Sequence, residues 1–117
     1  MQNYRDLIVW KKAHQNALLI YSQTKEFPKE EQFGITSQIR RAAVSIPTNI
    51  AEGTGKSTKK DFANYLQTAL GSTQEVEYLL LLSNELSYLN QEQFQKINSL
   101  VNEVKAMLIS LIKKVRA

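Results

Sequence analysis

The sequence predicts an all-α protein, an antiparallel up-down-up-down four-helix bundle. Three observations support this fold class. The 117 residues include only four glycines and two prolines, four segments repeat apolar residues at spacings of three and four, and the polar connections between these segments are short. Because a chain of this length buries one core, we expect a single domain, residues 1–117.

The first helix is predicted from Asp6 to about Lys25. Apolar residues recur there at helical spacing, from Leu7 through Trp10 to Ala17, and the Phe27-Pro28 pair disfavours further helix. We expect a polar loop, KEEQFG, to follow.

The second helix contains a proline. It is predicted to start at Thr36 as the N-cap and to end at Gly53. Pro47 lacks the amide that would bond to the preceding turn, so a kink is expected there. The buried face is predicted to contain Ile39, Ala42, Ala43, Ile46 and Ile50.

The third and fourth helices begin with capping signals. Ser57 or Thr58 precedes the third helix, with Asp61 near its start, and Asn90 precedes the fourth, with Gln93 at the capping-box position. The third helix is expected to bury Phe62, Leu66, Ala69, Thr73, Val76 and Leu80. The fourth carries a heptad seam of Phe94, Ile97, Val101, Val104, Leu108, Leu111 and Val115.

The helices carry more apolar residues than one core needs. The runs 7–10, 17–21 and 78–82 each sweep about 300° or more around a helix, so they cannot all face inward. This surplus favours a homo-oligomer over leucines scattered on the surface. Arg41, Ser45, Thr48 and Glu52 form a polar stripe on the second helix. This stripe suits contact with a neighbouring helix or protomer, and an ordinary solvated face is the open alternative. The candidate interface or structural residues are Arg41, Ser45, Pro47, Thr48, Asn49, Glu52, Leu79, Leu81 and Leu82.

Composition excludes several classes of protein. The chain has no cysteine, which removes disulfides, thiolate metal sites and a cysteine nucleophile. Its longest aliphatic run, 79–82, is far shorter than the roughly 20 residues that span a bilayer, and the first residues do not resemble a secretion signal. We therefore expect a cytoplasmic protein without membrane contact.

The sequence predicts no enzyme, no metal and no cofactor. His14 is the only histidine and has no companion ligand at suitable spacing. The segment GTGKST, residues 53–58, matches the second half of a phosphate-binding loop, but Ile50 stands where the first glycine belongs and a helix precedes it. An ordinary loop is favoured, while anion binding at the amides of residues 57–60 stays open.

Positive charge is concentrated in the first half of the chain. The net charge is +4, and residues 1–60 hold ten Lys/Arg against five Asp/Glu, whereas residues 61–117 hold five against six. Basic side chains are ordinarily solvated, but they also bind nucleic-acid phosphates. The candidate phosphate contacts are Lys11, Lys12, Arg40, Arg41, Lys56, Lys59 and Lys60.

Three segments resemble a known family. YRDLIVWKKA at residues 4–13, FGITSQIRRAAVSIPTNIAEG at 33–53 and ALGSTQEVEYLL at 69–80 are similar to the four-helix bundle proteins encoded in intervening sequences of bacterial 23S ribosomal RNA genes. The chain departs from the usual pattern at Thr48 and Lys11. The resemblance implies a left-handed bundle that assembles as a homopentamer. It also implies kinship in fold with the accessory variability protein of diversity-generating retroelements, and it supplies no catalytic residues.

Two functional hypotheses follow from the sequence. The first is a non-enzymatic homo-oligomer that associates with nucleic acid, DNA or RNA, with structured or ribosomal RNA favoured. The alternative is an oligomeric adaptor that binds a protein partner and no nucleic acid.

Overall fold

The computed structural model describes residues 3–117 and contains four α-helices in that range. They are α1 (Ile8–Gln23), α2 (Ile35–Thr54), α3 (Lys59–Glu85) and α4 (Gln91–Arg116). Short 3-10 helices occupy Tyr4–Asp6, Thr24–Glu26 and Lys29–Glu31. The predicted all-helical fold is confirmed.

Neighbouring helices run in opposite directions. Each helix packs against the next one in sequence, and α1 also packs against α4, which closes the bundle. Gln93 donates a hydrogen bond to Gln23 over 2.7 Å, and Lys12 pairs with Glu103 over 2.7 Å. The end of α1 therefore contacts the start of α4, and the first half of α1 contacts the second half of α4, so these two helices are antiparallel.

The core is one continuous cluster at the centre of the bundle. The predicted face of α2 is confirmed, because its five aliphatic residues are at most 4% exposed. Most predicted residues of the α3 and α4 seams are buried, and Ile112 of α4, which was not predicted, is buried as well. The predicted residues that are only partly buried against the core are Phe62, Phe94, Leu111 and Val115. In α1 the buried stripe includes Val9 and Asn16, which the sequence pattern did not indicate.

The N-termini of α3 and α4 are capped as the sequence predicts. The Thr58 hydroxyl accepts a hydrogen bond from the amide of Asp61 at 3.1 Å. At the start of α4, Asn90 and Gln93 form the complete capping box, with distances of 2.8 and 3.0 Å. Both caps satisfy amides that have no partner within the helix.

Several predicted boundaries are wrong. Helix α1 ends at Gln23, and the turn after it is a 3-10 helix; the predicted loop likewise contains the 3-10 helix Lys29–Glu31. Helix α2 begins at Ile35, so Thr36 is not its N-cap but lies buried in its first turn. Gly53 does not end α2 either, because the helix continues to Thr54.

Gly53 serves close packing rather than helix termination. A Cβ atom placed on it would lie 2.9 Å from Cβ of Tyr65 and 3.0 Å from Cδ1 of Phe62. Only a residue without a side chain lets α2 approach α3 so closely at this point. Pro47 lies inside α2, which is helical on both sides of it; the kink and the left-handed twist of the bundle stay predictions.

Candidate functional site

Folding separates the charges towards the two ends of the bundle. We divide the bundle at the middle of its helices and define the basic end as residues 3–15, 45–72 and 103–117. This end contains ten Lys/Arg and four Asp/Glu, a net charge of +6, whereas the remaining described residues contain five and seven, a net charge of −2. We call the second half the acidic end. The two counts together give the +4 of the chain.

Two of the predicted phosphate contacts are already engaged within the protomer. Lys12 forms its ion pair with Glu103, and Arg40 donates from Nε to the Thr24 hydroxyl at 2.8 Å. The Arg40 guanidinium also lies 4.7 Å from the ring centre of Tyr21. Arg40 therefore ties the start of α2 to the end of α1.

The structure brings three of the predicted lysines together at the basic end, to which Lys11 and Lys12 also belong, and leaves the two predicted arginines at the acidic end. Lys56, Lys59 and Lys60 are exposed around the start of α3, at the basic end. Arg41 is exposed on α2 but belongs to the acidic end, and Lys11 is exposed on α1.

The last turn of α4 adds three cations that are not among the predicted phosphate contacts. Lys113, Lys114 and Arg116 are exposed at the same end of the bundle as the start of α3. Their position at a helix C-terminus has an ordinary electrostatic explanation, because cations there interact favourably with the helix dipole. Their pairing in the sequence was visible, but only the fold places them near α3.

An open cavity of about 500 Å³ lies at the basic end, between the α2–α3 connection and the end of α4. Lys56, Lys59 and Lys114 line it, together with apolar side chains that include Phe62 and Leu111. No aspartate or glutamate is among its lining residues in the described chain. The cavity therefore combines positive charge with an apolar wall.

A second cavity, of about 480 Å³, is a mainly apolar groove between α1 and α2. Trp10 lies at its wall, with the His14 ring stacked parallel to the indole at a centre-to-centre distance of 5.0 Å. Leu18 and Tyr21 also line the groove and are 59% and 43% exposed. We call this surface the α1–α2 groove; Pro47, Thr48 and Glu52 contribute its α2 side.

The family follows from the sequence match. The family described as 23S rRNA-intervening sequence protein matches residues 5–110. The chain belongs to this family.

A solved structure of similar fold is a protein of unknown function from the S23 ribosomal protein family of Bacteroides thetaiotaomicron. It is 34% identical, the match covers 91% of this chain and 99% of that one, and the TM-score is 0.85. No curated protein matches the chain.

The polar stripe on α2 forms hydrogen bonds within the protomer at its centre. The hydroxyls of Ser45 and Ser72 are 2.8 Å apart, which links α2 to α3. Asn49 donates its amide to the carbonyl and the hydroxyl of Ser45 at 2.8 and 3.0 Å. The Thr48 hydroxyl donates to the carbonyl of Val44 at 2.8 Å. These bonds satisfy the stripe around Pro47 without a second protomer.

The three candidate leucines of α3 have different environments. Leu79 is 4% exposed and belongs to the core, so it cannot contribute a surface contact. Leu81 is 44% exposed, and Leu82 is partly buried against the core. The neighbouring Tyr78 is 59% exposed. The apolar surface on α3 therefore consists of Tyr78 and Leu81 rather than of the whole leucine run.

The described residues offer no metal site and no membrane span. Within residues 3–117, no group of three His, Asp or Glu side chains lies close enough to hold a metal ion. No helix in this range is long and apolar enough to cross a bilayer.

Proposed function

We propose that the chain is a non-enzymatic, cytoplasmic, homo-oligomeric bundle that associates with structured or ribosomal RNA through its basic end. The observation that carries the proposal is the separation of charge, +6 at one end against −2 at the other. A region of one sign raises the local concentration of oppositely charged ligands and speeds their association. Membership in a family defined by 23S rRNA intervening sequences makes RNA the favoured polyanion.

Most cations at the basic end are available to phosphates, because only Lys12 and Lys105 among the ten form ion pairs. Within residues 3–117 the ion pairs are Lys12–Glu103 and Lys105–Glu77. The lysines around the start of α3 and the end of α4 are therefore not neutralised by carboxylates of the same protomer. Binding phosphates releases the counterions of RNA, which favours association at low salt.

The oligomer proposal is supported by apolar surface on α1 and α2. Leu18, Tyr21 and Val44 line the α1–α2 groove and are each at least 40% exposed. Contiguous exposed apolar surface is typical of protein interfaces. We place one side of the interface between copies in this groove, and the family resemblance makes a pentamer the expected assembly.

The oligomer is tested with two matched variants on α1. Leu18 and Ile8 are 59% and 60% exposed, but only Leu18 lines the groove. In size-exclusion chromatography with light scattering, the wild type and Ile8→Glu should be oligomeric, and Leu18→Glu should be monomeric. A monomeric wild type at micromolar concentration, or an unchanged Leu18→Glu oligomer, would contradict the proposal.

The RNA proposal is tested with a pair of double charge reversals. Lys59→Glu/Lys60→Glu acts at the basic end, and Lys25→Glu/Lys29→Glu makes the same charge change at the acidic end. We expect the first to weaken binding of an RNA hairpin about tenfold or more and the second much less. Lys59 and Lys60 are the first residues of α3, where glutamate favours the helix, so unfolding will not explain the loss.

Salt provides the second measurement. The affinity of the wild type for the hairpin should fall steeply between about 50 and 200 mM salt. Binding that is insensitive to salt, or equal losses in the two double variants, would refute a contact at the basic end.

The protein-adaptor alternative has one specific observation in its favour. Phe33, at the acidic end, is 91% exposed and follows Glu30 and Glu31. An exposed aromatic residue beside acids suits a partner with a basic, apolar surface. This alternative would be favoured if one protein, and no RNA, co-purifies stoichiometrically with the wild type from the native host. The same partner should not co-purify with Phe33→Ser.

A further inference from the structure

The cavity at the basic end has a composition that the RNA proposal does not require. A surface that only attracts the RNA backbone needs exposed cations, whereas this cavity also has an apolar wall. Its lysines are Lys56, Lys59 and Lys114, and Phe62, Leu111 and Val115 form the apolar part. Its volume of about 500 Å³ lies in the range of roughly 300–1,000 Å³ that is typical of small-molecule sites.

The three lysines come from two parts of the chain that only folding brings together. Lys56 lies in the α2–α3 connection, Lys59 is the first residue of α3, and Lys114 belongs to the last turn of α4. The Lys56 ammonium lies 4.9 Å from the ring centre of Tyr65, a contact that positions the side chain and leaves its charge without a counter-ion. Asp61 is the acidic residue nearest to Lys59 in sequence, and it does not line the cavity.

We infer that this cavity binds a terminal phosphate monoester together with the nucleotide that carries it. A phosphate monoester has a charge of about −1.5 to −2 at pH 7, whereas each internal phosphodiester of RNA carries about −1. The three lysines that line the cavity therefore favour the monoester. The apolar wall suits the face of a base or ribose, because nucleic-acid bases stack on aromatic side chains such as Phe62.

The inference rests on the proposed RNA association and names the part of the RNA that the cavity takes. That part is a phosphorylated strand end. A free nucleoside monophosphate presents the same chemical groups, so the experiment includes both sources.

The sequence provides matched controls within two lysine pairs. Lys59 and Lys114 line the cavity, whereas their neighbours Lys60 and Lys113 do not. All four are exposed at the same end of the bundle. The variants Lys59→Gln/Lys114→Gln and Lys60→Gln/Lys113→Gln therefore remove the same charge from the same end, and only the first changes the cavity.

The main measurement compares one RNA hairpin with either a phosphate or a hydroxyl at the strand end. We expect the wild type and the control variant to prefer the phosphorylated hairpin about tenfold, the effect of one charge-assisted hydrogen bond. The cavity variant should lose this preference. In the wild type the preference should also decline from pH 7 to pH 5, because the second pKa of a phosphate monoester is about 6.

Titration with adenosine 5′-monophosphate, inorganic phosphate and adenosine separates the possible sources. If the monophosphate binds the wild type and competes with the phosphorylated hairpin, the cavity recognises the terminal nucleotide. Equal affinity for the two hairpins, or equal loss of the preference in both variants, would overturn the inference while leaving RNA association intact. If no RNA binds, the proposed function fails. The cavity would still be supported as a phosphate site if adenosine 5′-monophosphate binds the wild type and the control variant but not the cavity variant.

Discussion

Two glycines test how closely α2 and α3 pack against each other. Gly53 and Gly71 both lie in helices, α2 and α3 respectively. A Cβ atom on Gly53 would lie 2.9 Å from Cβ of Tyr65 and 3.0 Å from Cδ1 of Phe62, whereas one on Gly71 meets no atom within 4 Å. Substituting alanine adds the same methyl group in both cases, into packed side chains at Gly53 and into open space at Gly71.

The two variants should change stability in opposite directions. Alanine gains up to about 0.8–1 kcal/mol over glycine in a helix, and less at Gly53, which lies near the end of α2. Overpacking typically costs about 1–3 kcal/mol. We therefore expect Gly71→Ala to stabilise the fold by about 1 kcal/mol and Gly53→Ala to destabilise it by about 1–2 kcal/mol. The difference between them measures the cost of forcing α2 and α3 apart.

Urea unfolding followed by far-ultraviolet circular dichroism measures both values. The protein concentration must be the same for all samples, because the stability of an oligomer depends on it. Equal stability of the two variants, or stabilisation by Gly53→Ala, would refute the close approach of α2 to α3 at Gly53. A changed dependence on urea would indicate an altered unfolded or native state rather than local strain.

Three further predictions concern single side chains. Asn16 is fully buried and neither polar atom of its side-chain amide has a hydrogen-bond partner. In urea unfolding, Asn16→Leu should therefore stabilise the fold by about 1–3 kcal/mol, whereas leucine at the exposed Gln15 should change the stability little. Destabilisation by Asn16→Leu would reveal a partner for the amide. Ser87 has a φ of 65°, so Ser87→Gly should raise the midpoint of thermal unfolding, and a lower midpoint would contradict strain there. The Tyr88 hydroxyl donates a hydrogen bond to Glu31 at 2.8 Å, which raises the tyrosine pKa above its usual value of 10. The contribution of this hydrogen bond to the free energy of unfolding is therefore present below pH 10 and is lost as the pH rises through the raised pKa. The free energy of unfolding, measured from pH 8 to 12, should show this loss in the wild type and not in Tyr88→Phe. An identical pH dependence in the two proteins would exclude a contribution from the Tyr88–Glu31 hydrogen bond.

Local signals in the sequence predict much of this fold. The buried face of α2 and the caps of α3 and α4 depend on residues three or four positions apart, which the sequence displays directly. Gly53 shows the limit of such signals. A glycine late in a helix usually ends it, but here the helix continues past Gly53, and the close contacts that require a glycine come from Tyr65 and Phe62 on another helix.

The candidate site was predictable to the extent that its residues are close in sequence. The cluster of Lys56, Lys59 and Lys60 is visible in the sequence alone. The contribution of Lys114 is not, because it depends on how α4 packs beside α3. The same limit applies to Lys12 and Arg40, because their partners, Glu103 for the ion pair and Thr24 for the hydrogen bond, are distant in sequence.

The charge separation also connects the two parts of the proposed function. Each end of an antiparallel bundle contains two helix N-termini and two C-termini, so the helix dipoles largely cancel and the +6 of the basic end comes from side chains. In a cyclic ring with head-to-tail interfaces, all protomers have the same orientation relative to the axis. Every basic end would then lie on one face of the ring if the helices run along that axis. A pentamer would thus concentrate five basic ends on a single RNA-facing surface, whereas a two-fold dimer can place its basic ends on opposite sides. Oligomeric symmetry and RNA affinity should therefore change together: Leu18→Glu, which dissociates the ring, should weaken RNA binding more than Ile8→Glu, which adds the same negative charge and leaves the ring intact.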